Sequence, residues 1–290
     1  MVWYLFALCS AIMFAVTGIL NKKILLHEHA LEFTASRSII LSMLALILVP
    51  WVDFSISFMV HAIIAITALI VVAGVLFYMK SIRHGEISII APLMNISPLF
   101  LIVIAFFVLG EMPSTMQLIG IGLLAVGVYS LEVGTHHNDY LAPIKEFLRS
   151  KVIHFLMFAL IIFSITATLD KLIVTKHTDV FTYLFFFTLY KTLFYLTLQT
   201  YRHGFREIIN DFKKDGRLII TNGVTDFTGH ILYMMAVAMP SAMIALVIAI
   251  KRTSSLFTTI FGGMLFHEKN LKIKITACTI MLMGAVLILW

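Results

Sequence analysis

Apolar segments long enough to cross a lipid bilayer follow one another along almost the whole chain. Hydrophobic residues make up 61% of its 290 residues and charged residues only 12%, a balance that one soluble core cannot bury. A spanning helix needs roughly 20 mostly apolar residues. Ten segments meet this requirement, at residues 2–21, 31–51, 58–79, 86–109, 113–133, 152–174, 180–200, 218–239, 241–266 and 272–290. The sequence therefore predicts an all-α integral membrane protein with ten transmembrane helices.

The basic residues predict how these spans are oriented. The connections after odd-numbered spans hold nearly all of the loop lysines and arginines, namely Lys22, Lys23, Lys80, Arg83, Lys145, Arg149, Lys151, Arg202, Arg206, Lys213, Lys214, Arg217, Lys269, Lys272 and Lys274. Because positively charged loops stay in the cytoplasm, this bias places both termini outside. The longest connections, 134–151 and 201–217, are too short for a second domain. Cys9 and Cys278 show no CxxC or Cys/His spacing, so neither a disulfide framework nor a metal site is predicted. No cofactor is expected.

The two halves of the chain resemble each other in order. Residues 14–23 (FAVTGILNKK) align with residues 163–172 (FSITATLDKL). Residues 97–111 (SPLFLIVIAFFVLGE) align in the same way with residues 254–268 (SSLFTTIFGGMLFHE). Internal similarity of this kind is typical of transporter folds that arose by duplication.

A duplicated unit with five helices must enter the membrane from the opposite side the second time, because five is an odd number. The sequence thus predicts an inverted repeat. Its parts are a first five-helix unit at 1–133, a connection at 134–151 and a second five-helix unit at 152–290. A site between such units can open to each side of the membrane in turn.

Together these features resemble the EamA branch of the drug/metabolite transporter superfamily. The residues that carry the resemblance are Lys22 at the end of span one, Pro92 and Pro98 in span four, Glu111 and Glu268 closing spans four and nine, and the glycine-rich stretch 120–132. The resemblance implies ten helices as five plus five, and a carrier for small metabolites, amino acids, sugars or drugs that is frequently an exporter. It also implies cytoplasmic termini, the opposite of the orientation predicted from the charges.

Ionisable side chains inside the spans are costly and usually face a cavity or a partner. The cations are Arg37, Lys191, Lys251 and Arg252, and the clear anion is Asp226. Asp226 and His230 lie four residues apart on one helix face, which allows a hydrogen bond or proton exchange. If spans eight and nine are antiparallel neighbours, Asp226 lies at the depth of Lys251 and Arg252 and pairs with one of them. The remaining positive charge favours an anionic or zwitterionic organic solute.

Polar and aromatic residues at similar depth complete the predicted substrate site. They are Tyr78, Tyr233, Asn95 and Ser254, beside the charged residues and His230. The alternative is structural: tyrosine hydroxyls satisfied by helix packing, and cations that snorkel or bind backbone carbonyls. Pro92 and Pro98 free backbone carbonyls in span four, which predicts either hinges or a static kink. Asp226 with His230 is the candidate proton relay for coupling.

The predicted function is secondary transport of a small charged organic metabolite by alternating access, as exporter or exchanger. The expected partners are membrane lipid, the solute, and protons or a counter-substrate, with no nucleic acid. A monomer or homodimer in the plasma membrane of a prokaryote is expected. The sequence lacks Walker A, GxSxG and HExxH motifs, so neither ATP-driven pumping nor enzymatic hydrolysis is predicted. Two alternatives stay open: a flippase for a lipid phosphate or lipid-linked sugar, and a non-transporting membrane scaffold or sensor.

Overall fold

The computed structural model describes residues 3–97, 99–100, 114–133, 149–239 and 244–289, which form helices joined by turns and contain no β-strand. In chain order the helices are α1 (Trp3–Leu25), α2 (Ala30–Ala45), α3 (Phe58–His84), α4 (Ile87–Leu93), α5 (Thr115–Val133), α6 (Lys151–Lys176), α7 (Val180–Arg202), α8 (Arg206–Ala238), α9 (Ile244–Phe257) and α10 (Leu271–Leu289). Short 3₁₀ segments continue α2 (Leu46–Trp51) and α4 (Met94–Ile96). A π-helical turn (Thr258–Gly262) and a last helical turn (Gly263–Leu265) continue α9.

Length and composition qualify five of the described helices as membrane spans. They are Trp3–Leu25, Ala30–Trp51, Phe58–His84, Val180–Arg202 and Leu271–Ile288. Shorter apolar helices cover Ile87–Ile96, Thr115–Ser130 and Lys151–Thr166. The chain is therefore an integral, multi-pass membrane protein, whereas the ten-span inverted repeat stays a prediction.

Helix α1 shows how the spans are turned in the bilayer. One face is exposed and apolar, and its members Leu8, Ile12 and Val16 follow one another at one-turn intervals. The opposite face is buried and carries the polar residues Ser10, Thr17 and Asn21. Inside the bundle, Asn222 Nδ2 donates a hydrogen bond to Asn21 Oδ1 at 2.9 Å. Apolar residues thus meet lipid, and polar side chains find their partners between helices.

The main helix contacts join the part of the chain before residue 134 to the part after residue 148. Helix α1 packs on α8 and α9, α3 packs on α6 and α7, and α2 packs on α7 and α8. Helix α5 lies along α10. The core formed by these contacts includes Phe33, Met79, Leu156 and Met281, all of them buried.

The predicted loop 201–217 is mostly helical, so that expectation was wrong. Helix α8 begins at Arg206 and runs for 33 residues, about 50 Å at 1.5 Å per residue. The first turns of α8 contain many charged residues, so they do not form an apolar run that predicts a span. They nevertheless pack on the bundle, since Ile208 is buried and Phe212 packs on the core. The backbone departs from helical geometry at Asp215 (φ −126°, ψ 20°), just before the predicted span 218–239 begins.

Three carboxylates meet at the aqueous end of α8. Oxygens of Glu28, Glu32 and Asp211 lie within 4.8 Å of one another. Ser36 Oγ donates a hydrogen bond to Asp211 at 2.7 Å, and Lys214 Nζ donates one to Glu28 at 2.6 Å. Burial and the neighbouring glutamates raise the pKa of Asp211 to about 7, although the hydrogen bond from Ser36 lowers it. Asp211 therefore keeps a proton in many molecules near neutral pH.

Replacing Asp211 with asparagine is expected to make the stability less dependent on pH. The carboxyl binds its proton more tightly in the folded protein, where its pKa is about 7, than in the unfolded chain, where the pKa has its ordinary value of 3.8. Its contribution to the free energy of unfolding is therefore fully present below about pH 4 and is lost as the pH rises through 7. At about pH 8 the variant should be more stable than the wild type by on the order of 1 kcal/mol, and at about pH 4 equally stable. Thermal unfolding in detergent at both pH values measures this difference.

The matched control for this prediction is Asp53→Asn. Hydrogen bonds from Ser55 lower the pKa of this exposed carboxyl, so its removal should bring no gain at alkaline pH. A difference between wild type and Asp211→Asn that stays constant with pH would contradict the prediction.

Glu268 caps the start of α4 from the other half of the chain. Its Oε1 accepts from the Ile87 amide at 2.8 Å, and its Oε2 accepts from the Ser88 amide at 2.9 Å and from the Ser88 hydroxyl. Lys274 Nζ lies 3.7 Å from Glu268 and also bonds Glu86. Lys269, the residue that follows Glu268 in the chain, is exposed and forms no ion pair with a described residue. The carboxylate also compensates the positive end of the α4 dipole.

Replacing Glu268 with alanine is expected to lower the free energy of unfolding by about 2 kcal/mol, because buried donors at the start of α4 lose a charged acceptor. Thermal unfolding in detergent measures the loss. Lys269→Ala serves as the control, with an expected change within about 0.5 kcal/mol. Equal effects of the two substitutions would show that the capping contacts are not important for stability.

Candidate functional site

The intramembrane charges predicted from the sequence lie on four helices. Arg37 is on α2, Lys191 on α7, Asp226 and His230 on α8, and Lys251 and Arg252 on α9. Helix α2 packs on both α7 and α8, which brings these three helices together, and α1 packs on both α8 and α9. His230 has electrostatic interactions with Asp226, Lys191, Lys251 and Arg37. The charges therefore form one cluster inside the bundle.

Asp226 pairs with Arg37, not with Lys251 or Arg252 as predicted. Arg37 Nη1 lies 3.9 Å from Asp226 Oδ2, and both side chains are almost fully buried. The predicted pairing assumed that spans eight and nine pack side by side. In the structure α8 and α9 both pack mainly against α1, while α8 lies directly along α2.

Two ammonium groups rest on aromatic rings. Lys251 Nζ lies 3.9 Å from the ring centroid of Tyr233 and 4.7 Å from that of Phe14. Lys191 Nζ lies 5.1 Å from the ring of Phe187, and this side chain is only 7% exposed. Neither ammonium forms a hydrogen bond or an ion pair with a described residue. Ring faces reduce the cost of burying such cations but leave their N–H donors unused.

Arg252 faces the other half of the chain across α4. Its guanidinium donates to the Ser97 hydroxyl, while its buried Nε has no partner among the described residues. Next to it, Asn95 Nδ2 donates to Ser255 Oγ at 3.0 Å, and Asn95 is fully buried. Ser254, the predicted contact, is half-buried and forms no side-chain hydrogen bond with a described residue. Ser255, the next residue, therefore forms the contact with Asn95, and the role of Ser254 in binding a solute stays a prediction.

The remaining predicted residues line the same region with different contacts. The His230 ring packs edge-on against Phe14 at 5.0 Å, and no hydrogen bond joins it to Asp226 in the described residues. Tyr78 is half-buried and packs against Phe163 at 6.1 Å. Asp226 and His230 therefore lie one helical turn apart and interact electrostatically without a direct hydrogen bond, and the relay stays a prediction.

Pro92 lies in α4, and Pro98 lies outside the described residues. Helix α4 changes from α to 3₁₀ geometry at Met94, two residues after the buried Pro92. Since proline removes one helical hydrogen bond, this irregularity falls where a hinge or a static kink was predicted.

Asp170 belongs to the cluster and was missed as a site residue. The buried Tyr183 donates its hydroxyl to Asp170, and the carboxylate interacts electrostatically with Lys251 and Lys191. A signal was available, because Asp170 aligns with Asn21 in the internal repeat. Asn21 itself accepts a hydrogen bond from Asn222 of α8.

The cluster has more cations than carboxylates. In the described residues it contains four cations, Arg37, Lys191, Lys251 and Arg252, and two carboxylates, Asp226 and Asp170. Only Arg37 lies within ion-pair distance of one of these carboxylates. Such a region can accept the carboxylate or phosphate of a bound molecule, since unpaired buried cations are costly.

Comparison with known proteins gives a family match for the first part of the chain and a fold for nearly all of it. Residues 1–132 match the sequence profile of the EamA-like transporter family, which confirms the resemblance over these residues. No curated protein matches the chain. Of 25 matching chains of solved structures, one crystal structure superposes with a TM-score of 0.63 over 98% of this chain and 96% of its own length. Its sequence identity is 13%, so this likeness shows the fold alone.

Proposed function

We propose that this chain, whose residues 1–132 match the EamA-like transporter family, is a secondary transporter for a small anionic or zwitterionic organic solute. The match by itself indicates a membrane transporter of the drug/metabolite kind. The class of solute rests on the charge cluster.

One observation carries the choice of an anionic group. The ammonium groups of Lys191 and Lys251 have aromatic faces as neighbours but no described oxygen acceptor, and Arg252 keeps an unpartnered Nε. A ligand carboxylate or phosphate would supply these acceptors and cancel excess charge in a region of low dielectric constant. Asp226 and Asp170 lie in the same cluster and could hold the amino group of a zwitterion.

The helix packing supports alternating access between two five-helix units. If α1 to α5 correspond in order to α6 to α10, the contact of α1 with α8 corresponds to that of α6 with α3, and both are present. The contacts of α2 with α8 and of α7 with α3 correspond in the same way. Pairs such as α2 with α7 and α5 with α10 map onto themselves. An approximate two-fold relation of this kind lets one unit rock against the other around a central site.

Coupling to protons would use Asp226, with His230 one turn away. Protonation of Asp226 would release Arg37 to interact with the solute, so proton binding and anion binding would favour each other. An exchange partner of similar charge is the other energy source, and the transport assay below separates the two.

The proposal is tested by thermal unfolding of the purified protein with amino acids, organic acids, sugar phosphates, cationic drugs and lipid phosphates. A ligand at 100 times its Kd stabilises the folded state by about 2.7 kcal/mol. A soluble anion or zwitterion should stabilise the wild type and should not stabilise Lys251→Met combined with Arg252→Met. The matched control combines Lys269→Met with Lys272→Met, two exposed lysines, and should keep the response.

The stabilising compound is then tested for uptake into proteoliposomes, with and without a pH gradient. Stabilisation by cationic drugs alone, or an equal response of the Lys251/Arg252 variant, would contradict the proposed solute class. Stabilisation by lipid phosphates alone would favour the flippase.

A further inference from the structure

An open groove lies between the ends of three helices on the face that carries the odd-numbered connections. Lys23, Leu26 and His27 at the end of α1 form one side, Asp215 and Leu218 of α8 form the second, and Leu265 and Phe266 after α9 form the third. Its volume is about 320 Å³. The groove is separate from the charge cluster, which lies deeper in the bundle on other residues.

The exposure pattern along α8 places this groove at the boundary of the hydrocarbon layer. Arg206, Lys213 and Arg217 are exposed on the first turns, and the same face continues with Ile220 and Val224, which are 47% and 42% exposed. Charged residues that give way to exposed apolar residues mark the transition from headgroups to acyl chains. Asp215 and Leu218, which line the groove, fall at this transition.

The groove is lined by both charged and apolar side chains. Lys23 and His27 supply basic groups, and Asp215 supplies a carboxylate. None of these three side chains forms a hydrogen bond or an ion pair with a described residue. Leu26 and Leu265, in the same lining, are 51% and 53% exposed. One basic side, one acidic side and an apolar wall together match a phospholipid that carries both charges in its headgroup.

We propose that this groove binds a phospholipid with a primary ammonium in its headgroup, as in phosphatidylethanolamine. The phosphate would lie at Lys23 and His27, and the ammonium would donate hydrogen bonds to Asp215. An acyl chain would cover Leu218, Leu265 and Phe266. The inference requires only that the chain is embedded in a membrane, and it is independent of the solute that the charge cluster binds.

A second groove on the same face provides an internal comparison. It has a volume of about 280 Å³ and is lined by Phe77, Lys151, His154, Phe155 and Phe158. Basic and aromatic groups are present in this set, but a carboxylate is not. A lipid phosphate could bind there, yet nothing in this lining distinguishes an ammonium from a trimethylammonium headgroup.

Native mass spectrometry of the full chain in detergent tests the proposal. The probes are phosphatidylethanolamine and phosphatidylcholine with the same acyl chains, because trimethylation removes the N–H donors but keeps both charges. The wild type is expected to prefer phosphatidylethanolamine about tenfold, the effect of one charge-assisted hydrogen bond. Asp215→Asn should abolish this preference, and Lys23→Gln should weaken the binding of both lipids.

Lys213→Gln is the matched control, since this exposed lysine is on α8 but does not line the groove. It should keep the tenfold preference. Equal binding of the two lipids by the wild type, or an unchanged preference in Asp215→Asn, would overturn the proposal. Stronger binding of phosphatidylglycerol than of phosphatidylethanolamine would also overturn the proposal. It would show that the groove binds anionic lipids in general and does not recognise the ammonium group.

Discussion

Replacing Asp226 with alanine is expected to lower the free energy of unfolding by about 3 kcal/mol, because Arg37 then stays buried without its ion-pair partner. Arg37 is 6% exposed and its Nε already lacks an acceptor among the described residues. The ring of Phe33, 5.4 Å from the guanidinium carbon, is a weaker compensation than a carboxylate. Thermal unfolding of the purified protein in detergent measures the change.

The double variant Arg37→Met with Asp226→Leu separates the loss of a charge pair from the loss of packing. It should be more stable than Asp226→Ala alone, since no unpaired charge is left in the bundle. If the loss of stability in the double variant equals the sum of the losses in Arg37→Met and in Asp226→Leu, the two residues are not coupled.

In proteoliposomes, Asp226→Asn is expected to transport without the pH dependence of the wild type. Normal pH dependence of this variant would remove Asp226 from the coupling mechanism.

Gly120→Ala is expected to cost about 2 kcal/mol, because α5 and α10 approach each other through their glycines. A Cβ on Gly120 would lie 2.7 Å from the carbonyl oxygen of Gly284 and 2.8 Å from Ile288 Cγ1. The same is true in reverse, since a Cβ on Gly284 would lie 2.7 Å from the Gly120 oxygen. A backbone atom cannot rotate away from the new methyl group, so the helices must separate. Thermal unfolding again gives the magnitude.

Gly122→Ala is the control on the same helix, two residues away. No atom lies within 4 Å of a Cβ at this position. Because alanine favours the helix over glycine, this substitution should be neutral or should stabilise by up to about 1 kcal/mol. Similar losses at both positions would mean that helix geometry, and not contact between α5 and α10, makes glycine necessary in α5.

The helices could be predicted from the sequence because their limits are set by local properties. Apolar runs gave spans that overlap the described helices, and the alignment of the halves pointed to Asn21 and Asp170, which both take part in contacts between helices. The aqueous start of α8 was the exception. A search for long apolar runs does not detect an amphipathic helix that buries only Ile208 and its neighbours.

Partners of the charged residues could not be predicted, since they depend on which helices are neighbours. The depth of Asp226 was compatible with Lys251, but α1 packs on both α8 and α9, and α2 supplies Arg37 instead. Lys274, and not Lys269, meets Glu268 because α10 approaches α4 after the turn. Sequence spacing fixes which side chains share a helix face, whereas the arrangement of helices decides what they touch.

The order of helix contacts has a consequence for the covalent chain itself. Among the described residues, the most extensive contacts all join a helix before residue 134 to one after residue 148, so each half alone would lack most of this packing surface. Neither half would then be an autonomous folding unit, and the two would behave as subunits of an obligate complex that happen to share one polypeptide. A protease cut between residues 133 and 149 should therefore leave the bundle assembled.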